Sequence, residues 1–413
     1  MSTQTVLISG AGIAGPTVAY WLQRAGFTPT IVERAPRLRT AGYVIDFWGL
    51  GYEIADRMGL GEAIQRVGYH VRKVRFVDDH GQRASGFGTD VFADMAGGRF
   101  ITLGRSDLSR IIFEKLQEIE VLFGDEVTAM SEEADSVRVQ FQHAGERHFD
   151  LVIGADGLHS NIRNLAFGLD HLEKQLGYTV AAFEVAGYRP RDEDVYLIYG
   201  SPGTMVGRFT LHDDRTLFLI VLTDDDVASG PLPSLESQKA ILRRRLSGGK
   251  WECERILAEL DKTPELYFDR VSQIQMDHWS KGRIALLGDA AFCVSLLAGQ
   301  GSALAMTSAY ILAGELANAG GNYALAFRRY EDLLRSYVGM KQAGAERLAT
   351  SLVPRTRFGL FFRNRVVNAL GTIPGLAKWA FGSELIDKLK LPEYNWQTQM
   401  PTPTAEAKPA PAP

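Results

Sequence analysis

The alternation of hydrophobic and polar positions over the first 34 residues predicts a strand, a helix and a second strand. An apolar run at Val6–Ile8 precedes an amphipathic segment with apolar residues at Val18, Leu22 and Ala25, and the second run is Ile31–Val32. Two short apolar runs separated by an amphipathic segment of helical length are typical of a βαβ unit. The pattern therefore indicates a parallel sheet covered by helices.

Three glycines separate the first strand from the helix, in the spacing Gly10-x-Gly12-x-x-Gly15, and Ala14 precedes the last of them. In a dinucleotide-binding turn the first glycine turns the chain, the second lets the backbone approach a pyrophosphate, and the third lets helix and strand pack closely. The helix N-terminus adds free N–H groups and a positive dipole end. Glu33, 18 positions after Gly15, can accept hydrogen bonds from an adenosine ribose. We expect an adenine dinucleotide as ligand; the alternative is a glycine-rich turn in an ordinary α/β sheet.

Two more apolar runs have the length of buried parallel strands, and each leads into an acid beside a glycine. Phe149–Gly154 precedes Asp156-Gly157, and Arg283–Leu287 precedes Gly288-Asp289. Ligands of open α/β sheets bind where such strands end. A plain strand-to-helix N-cap is the alternative for the second pair.

A cation and a glycine-rich turn stand at the entrances of two predicted helices. Arg105 precedes a helix that Ser106 or Asp107 would cap and that runs through Leu116. This arginine either meets a ligand or is a solvated residue of the capping region, and the sequence leaves both open. The segment Gly299-Gln300-Gly301 opens a long helix from Ser302, where backbone N–H groups and a positive dipole end are available.

An antiparallel sheet is predicted between the α/β segments. Residues 177–223 alternate aromatic and β-branched positions with a turn at Asp213–Arg215, and residues 71–84 predict a hairpin with its turn at Asp78–Gly81. One face of this sheet could line a substrate cavity. The remaining pattern predicts strand pairs over 121–141 and helices over 60–67, 237–246, 251–260 and 323–348.

Composition narrows the class of protein. With 413 residues, 46% of them hydrophobic, and a net charge of −4, the chain is globular and has no basic excess for nucleic acid. No run approaches the roughly 20 apolar residues of a membrane span. Cys253 and Cys293 are far apart and the eight histidines show no ligand spacing, so we expect no disulfide framework and no metal site. Without a visible signal peptide, a cytoplasmic location is expected.

Taken together, the motifs resemble those of group A flavoprotein monooxygenases, the para-hydroxybenzoate hydroxylase-like family. The likeness rests on GAGIAG with Glu33-Arg34, on GADGLHSNIR from Gly154, and on GDAA followed by AGQG, in matching order over most of residues 3–345. The resemblance implies FAD as cofactor, with Glu33 on its ribose and Arg105 on the flavin chain. It also implies that Asp156-Gly157 serves FAD and the nicotinamide nucleotide, and that Asp289 accepts hydrogen bonds from the ribityl hydroxyls. Backbone N–H groups at Gly299–Gly301 would stabilise the reduced flavin.

One loop departs from the family pattern. Relatives often carry a histidine and a proline pair after GDAA, whereas this chain has Phe292–Ala298. Cys293 in this loop either approaches the flavin ring or is a small buried side chain, and we favour the second reading.

The expected fold is α/β: a Rossmann-like FAD-binding domain of the glutathione-reductase type, an inserted antiparallel-sheet substrate domain and a helical C-terminus. The expected boundaries are 1–70, 100–175 and 278–345 for the FAD-binding domain, 71–99 and 176–277 for the substrate domain, 346–395 for a C-terminal bridging helix region and 396–413 for a disordered tail. Residues 353–381 are apolar with several arginines and Lys378. They predict a helix that bridges the two domains, with a membrane-surface helix as the alternative.

The resemblance implies an FAD-dependent, NAD(P)H-consuming monooxygenase that hydroxylates an aromatic or polycyclic small molecule with O₂ through a flavin C4a-hydroperoxide. The layout is similar to that of tetracycline-inactivating members, so antibiotic resistance is one expectation, and a monomer or weak dimer is another. A reductase, a halogenase or a flavin-binding redox sensor are the alternatives. The substrate, the choice of NADH or NADPH and the pocket lining stay open. Arg208, Phe209 and Phe218 are candidates for that lining, with sheet-surface or core packing as the alternative.

Overall fold

A mostly parallel sheet forms around the first strand of the chain. The computed structural model describes residues 4–39, 42–90, 97–168, 172–224, 232–372, 375, 387 and 389–396, with the backbone alone for 348–350. The sheet has the order β17-β18-β11-β1-β2-β7, and only the edge strand β17 is antiparallel. Its strands are β1 (Thr5–Ser9), β2 (Thr28–Glu33), β7 (Glu120–Phe123), β11 (Leu151–Gly154), β17 (Ser280–Lys281) and β18 (Ile284–Leu286). The central strands β1 and β11 are buried, as expected for a parallel sheet with both faces covered.

Helices cover this sheet and turn the predicted βαβ unit into a packed layer. They are α1 (Ala14–Arg24), α2 (Gly49–Arg57), α3 (Gly61–Val67), α4 (Arg105–Glu114) and α5 (Asn161–Phe167). The short α8 (Asp289–Phe292), the long α9 (Gly301–Asn318) and α10 (Tyr323–Leu352) follow later in the chain. Helix α9 packs on α1 and α2 and is buried over nearly its whole length. Small residues allow this close approach: the Ala303 Cα would lie 2.4 Å from a Cβ placed on Gly51.

A seven-stranded sheet with the order β16-β12-β15-β14-β13-β4-β5 forms the second layer. It contains β4 (Lys73–Val77), β5 (Arg83–Gly88), β12 (Glu173–Ala186), β13 (Val195–Ser201), β14 (Thr204–Thr210), β15 (Arg215–Thr223) and β16 (Tyr267–Ile274). Every pairing is antiparallel except β4 with β13. The exception arises because β4 comes from an earlier segment, so no hairpin fixes its direction relative to β13. Helices α6 (Leu235–Leu246) and α7 (Cys253–Lys262) cover one face.

Two small sheets complete the α/β part. Strands β8 (Val127–Glu132), β9 (Val137–Phe141) and β10 (Glu146–Phe149) form a meander, and β3 (Val44–Trp48) pairs with β6 (Phe100–Gly104). The predicted α/β fold class, the 71–84 hairpin and the turn at Asp213–Arg215 are confirmed. The predicted cap of α4 is wrong: Gly104 holds the N-cap position without a side-chain cap. The carbonyl oxygen of Tyr43 instead accepts the Arg105 N–H at 3.0 Å, so a distant segment anchors the helix start.

The C-terminal segments contact both layers. Helix α11 (Arg357–Thr372) packs mainly on β5 and β13, and residues 389–396 lie against the α/β layer, where the Trp396 and Trp21 rings are 4.5 Å apart. Residues 373–374, 376–386, 388 and 397–413 lie outside the described residues, and they include Lys378 and all of the predicted tail except Trp396. Among described helices, none is both long and apolar enough to cross a membrane. The domain boundaries stay a prediction.

Candidate functional site

The glycine-rich turn has two positions where only glycine fits. Gly10 has φ +107°, and a Cβ there would lie 2.5 Å from the Ala155 carbonyl oxygen. A Cβ on Gly15 would lie 1.9 Å from the Gly10 carbonyl oxygen, so helix α1 approaches β1 too closely for any side chain. At Gly12 the nearest atom to such a Cβ is the Arg105 Nη2, at 4.0 Å. The space in front of Gly12 is therefore open and faces a cation.

Glu33 closes the turn from the end of β2. Its carboxylate accepts hydrogen bonds from the backbone N–H of Ala11, at 2.8 Å, and of Ala35, at 2.9 Å. The following residue, Arg34, is exposed. Ala14 in the turn is buried, and its Cβ would lie 3.4 Å from a Cβ on Gly288. The first and third motifs are thus in contact.

The Asp156 carboxylate is occupied by its own helix. It accepts the backbone N–H groups of Asn161 at 2.9 Å and Ile162 at 3.1 Å, as well as the Ser160 hydroxyl. Burial raises the pKa of Asp156, while these hydrogen bonds oppose the rise. The side chain therefore caps α5, and the backbone of Gly157, at φ +85°, is what this motif presents at the strand end.

Asp289 follows Gly288, which has φ +60°, and begins the short helix α8. Burial raises the pKa of Asp289, and the positive charge of Arg105 acts against this. The Asp289 carboxylate also faces α9, since its Oδ1 would lie 3.6 Å from a Cβ on Gly301. The Cys293 thiol is buried, lies beside Asp289 and is 3.6 Å from the Ser272 carbonyl oxygen. Burial raises the pKa of this thiol, so it remains protonated.

Arg105 stands between the first and third motifs. No hydrogen bond or ion pair of its guanidinium is found among the described residues. Tyr43 and Tyr267 lie beside it, with ring centroids 5.3 Å apart, and burial raises the pKa of Tyr43 to about 12. A half-buried cation next to an open glycine suits the phosphates of a dinucleotide.

The N-terminus of α9 supplies the remaining donors. Gly299 has φ +66°, and Gln300 holds the N-cap position without a side-chain cap. Ser302 in the first turn is buried. The tip of the Trp48 ring would lie 4.0 Å from a Cβ on Gly299. The first N–H groups of this 18-residue helix are therefore presented between an indole ring and the Asp289 carboxylate.

The face of the second sheet that looks toward this cluster is apolar. Leu219 and Tyr267 pack against both buried clusters of this face and stay partly exposed. Ile198 and Leu297 pack against one of these clusters and are also partly exposed. Gly207 pairs with Leu219 and adds no side chain there. The face is thus packed at its margins and only partly buried at Leu219 and Gly207, near its centre.

The three candidates for the pocket lining fall on different sides of this sheet. Phe209 is buried on the apolar face, and Phe218 is in the core on the opposite face. Arg208 is buried on that opposite face too, where its guanidinium pairs with Asp192 and Glu252. A cavity of about 520 Å³ opens beside it and is remote from the glycine motifs. Arg208 and Phe218 therefore pack on the far side of the sheet and do not line the apolar face, on which only Phe209 of the three lies.

The structure brings together the residues named from sequence around Gly12, Arg105, Asp289 and the start of α9, and leaves Arg34 exposed. Sequence reasoning missed Tyr267 and Asp46. The stretch 37–51, which contains Asp46, is rich in glycine and aromatic residues and could have been named as a loop and strand beside the dinucleotide site, whereas β16 carries no such signal. Among the described residues, no group of three or more His, Cys, Asp or Glu side chains could hold a metal ion.

Comparison with known proteins adds to this geometry. The sequence profile of a family described as FAD binding domain matches residues 3–350. An uncharacterized protein of Mycobacterium tuberculosis is 39% identical over 345 residues, which cover 82% of this chain and 92% of the relative. A flavin-dependent monooxygenase of Legionella longbeachae is 33% identical over 345 residues, covering 82% and 86%.

Two solved structures have the same fold. Tetracycline destructase Tet(51) matches with a TM-score of 0.81 and 30% identity, covering 95% of this chain and 100% of that one. HpxO of Klebsiella pneumoniae, solved with FAD and uric acid, matches with a TM-score of 0.78 and 22% identity, covering 94% and 98%. The second likeness is one of fold.

Proposed function

This chain belongs to the FAD binding domain family and is an FAD-dependent monooxygenase, and on that premise we propose that it hydroxylates an aromatic or polycyclic small molecule with electrons from NAD(P)H. One observation carries the proposal: the donor-rich cluster around Arg105, Asp289 and the start of α9 lies beside an apolar sheet face whose central residues, Leu219 and Tyr267, are only partly buried. A flat apolar substrate would lie against Leu219 and Tyr267, close to the cofactor.

The residues fit FAD at each of its polar parts. Arg105 and the open backbone at Gly12 would hold the pyrophosphate, and Glu33 would accept the ribose hydroxyls. Asp289 would accept the ribityl hydroxyls. The N–H groups of Gly301 and Ser302 would donate to the ring, where they stabilise negative charge.

The two other predicted contacts are more peripheral. The backbone of Gly157, whose neighbour Asp156 is committed to α5, would approach the cofactor chain. Arg34 would reach the adenosine end from the surface.

When bound, FAD supplies the redox chemistry, which is reduction by a nicotinamide nucleotide and activation of O₂. The protein's contribution is positioning and exclusion of water. The apolar sheet face removes water from beside the reacting atoms, and this strengthens every hydrogen bond made there. The tyrosines at positions 43 and 267 have raised pKa values because they are buried, so they act as neutral donors.

The substrate we place first is a tetracycline-like polycycle, supported by the likeness to tetracycline destructase Tet(51). The test is an aerobic assay of the purified holoenzyme with NADH and with NADPH against tetracyclines, phenols and quinolones. Substrate-stimulated oxidation of the nucleotide and a product heavier by one oxygen atom are expected. NAD(P)H oxidation without such a product, for every compound, would contradict the proposal.

A variant separates the substrate face from the cofactor cluster. Leu219→Trp adds bulk near the centre of the apolar face and should reduce the substrate-stimulated rate while the bound flavin is retained. Phe218→Leu, on the opposite face, is the matched control and should leave substrate stimulation intact.

A further inference from the structure

Asp46 is a carboxylate without a cationic partner at the junction of the two layers. The Thr102 hydroxyl, at 2.5 Å, and the Tyr196 hydroxyl, at 3.2 Å, both donate to its Oδ1. Among the described residues, no hydrogen bond reaches Oδ2 and no cation pairs with this side chain. Asp46 is partly exposed, so this oxygen can accept a hydrogen bond from a molecule bound at the junction, and a carboxylate is a strong acceptor.

Asp46 lies on the face of β3 that is turned away from the α/β core. Residues of β3 alternate: Ile45 and Phe47 are buried in the core, while Val44, Asp46 and Trp48 are partly exposed on the other face. Trp48 on that face lies next to Gly299 at the start of α9. Tyr196, on β13, comes from the seven-stranded sheet. Asp46 is thus flanked by the cofactor cluster on one side and by the apolar sheet on the other.

We propose that Oδ2 of Asp46 is a specificity-determining acceptor, which binds a hydrogen-bond donor of the substrate, either a hydroxyl or an ammonium group. This inference rests on the proposed function, since it concerns the substrate that lies on the apolar sheet. Thr102 and Tyr196 fix the carboxylate through Oδ1, and they leave Oδ2 at one defined place. The substrate would therefore be an apolar ring system with at least one donor at its edge.

The electrostatics agree with this reading. Burial raises the pKa of Asp46, and only the two hydroxyl partners oppose the rise. Burial also raises the pKa of Tyr196, which therefore stays a neutral donor. A cation or a hydroxyl brought by the substrate would supply the stabilisation that the protein itself withholds. Lowering the pH through the pKa of Asp46 would protonate the carboxylate, and Oδ2 would then no longer favour a ligand that donates a hydrogen bond.

Three naphthalenes that differ only in one substituent test the proposal. The probes are 1-naphthol, 1-naphthylmethylamine and 1-methoxynaphthalene, titrated into the holoenzyme and followed by the change in flavin absorbance. The wild type should bind at least one of the two donors about tenfold or more tightly than the methyl ether, because a hydrogen bond to a charged group is lost in the ether. The two donors distinguish a hydroxyl from an ammonium as the preferred group.

Asp46→Asn gives the sharper result because it replaces the acceptor Oδ2 by a hydrogen-bond donor. Thr102 and Tyr196 would keep the amide oxygen facing them, so the amide NH₂ would occupy the place of Oδ2 and become a donor. The preference for the amine over the ether should then be lost or inverted, with flavin content unchanged. Tyr196→Phe, which keeps the ring but loosens the carboxylate, should weaken the preference by a smaller factor, and it serves if the first variant does not fold.

Equal binding of all three probes by the wild type, or binding of none, would overturn the proposal. An unchanged preference in Asp46→Asn, or in Tyr196→Phe if the first variant does not fold, would do the same. Failure of the proposed function looks different: no compound of the assay panel is hydroxylated, while the donor preference of the wild type and its loss in the variant persist.

Discussion

The Arg163 guanidinium donates a hydrogen bond of 2.9 Å to the Ala290 carbonyl oxygen and so joins two motifs that lie 127 residues apart in the chain. It also donates to the Leu158 carbonyl oxygen at 2.6 Å. Arg163 is buried, so both carbonyls would lose their partner without water to replace it. One side chain therefore holds the turn after β11 against the start of α8.

We expect Arg163→Gln to destabilise the protein by about 2–4 kcal/mol, because a shorter side chain leaves buried carbonyl oxygens unsatisfied. Urea unfolding of the flavin-free protein measures this. The control is Arg110→Gln, on the exposed face of α4, where ion pairs to Asp107 and Glu114 contribute little and a change within about 0.5 kcal/mol is expected. Equal stability of the two variants would contradict the inference that Arg163 holds the turn after β11 against the start of α8.

The glycine turn allows the requirements of the fold to be separated from those of the cofactor. Gly12→Ala should leave the stability of the flavin-free protein within about 0.5 kcal/mol, because nothing lies closer than 4.0 Å to the new Cβ. The same methyl group would stand where the pyrophosphate must approach, so FAD affinity should fall about tenfold or more, or about 1.4 kcal/mol. Flavin fluorescence titration and thermal unfolding give both quantities.

Gly15→Ala is the opposite case. Its Cβ would overlap the Gly10 carbonyl oxygen, and we expect a loss of about 3 kcal/mol or more with little soluble protein. Gly339→Ala, in α10 with open space around it, controls for the substitution itself and should be neutral or stabilising by about 0.5–1 kcal/mol. For the preceding prediction, wild-type FAD affinity in Gly12→Ala would contradict the proposal that the backbone at Gly12 contacts the pyrophosphate of FAD.

What the sequence predicts well are features that depend on a local backbone requirement. Gly10 and Gly15 could be named because a strand that turns directly into a helix leaves no room for a side chain. The buried strand β11 and the acid after it could be named because a short apolar run has few other uses in an α/β chain.

What the sequence hides depends on segments that meet only in the folded chain. Tyr267 lies beside Tyr43 because β16 joins a sheet whose other strands lie far away in sequence. The free oxygen of Asp46 exists only because Tyr196 reaches the same carboxylate from β13. The cap of α4 was predicted wrongly for the same reason, since the acceptor belongs to Tyr43 and not to the helix's own first turn.

Replacing Arg105 should lower the affinity for FAD without lowering the stability of the flavin-free protein. Arg105→Gln should weaken FAD binding about tenfold or more and reduce its dependence on salt, because a charge-assisted contact to phosphate is lost. The stability of the flavin-free protein should stay the same or rise, since a half-buried cation without an ion pair is removed. FAD titration at low and high NaCl, with Arg110→Gln on the same helix as control, measures both. Salt dependence equal to that of the wild type would contradict a phosphate contact.

His159 and Asp269 give a prediction for pH. The His159 Nε2 lies 3.1 Å from Asp269 on β16, and this hydrogen bond raises the pKa of His159 above 6.5. A group whose pKa is higher in the folded state contributes fully below its unfolded pKa, and the contribution is lost as pH rises through the folded pKa. The contribution of this pair to stability should therefore fall as pH rises above about 6.5, by about 0.2–1 kcal/mol, a small amount because His159 is largely exposed.

The measurement is urea unfolding of the wild type and of His159→Gln between about pH 5.5 and pH 8.5, a window around the unperturbed histidine pKa of about 6.5. The difference between the two proteins should be largest at the acid end and vanish at the alkaline end. His80→Gln, in the exposed turn after β4, should keep the slope of the wild type. This pair ties the turn after β11 to the strand that carries Tyr267. A slope that is unchanged in His159→Gln would mean that other titrating groups cause it, and it would contradict the role given to this pair.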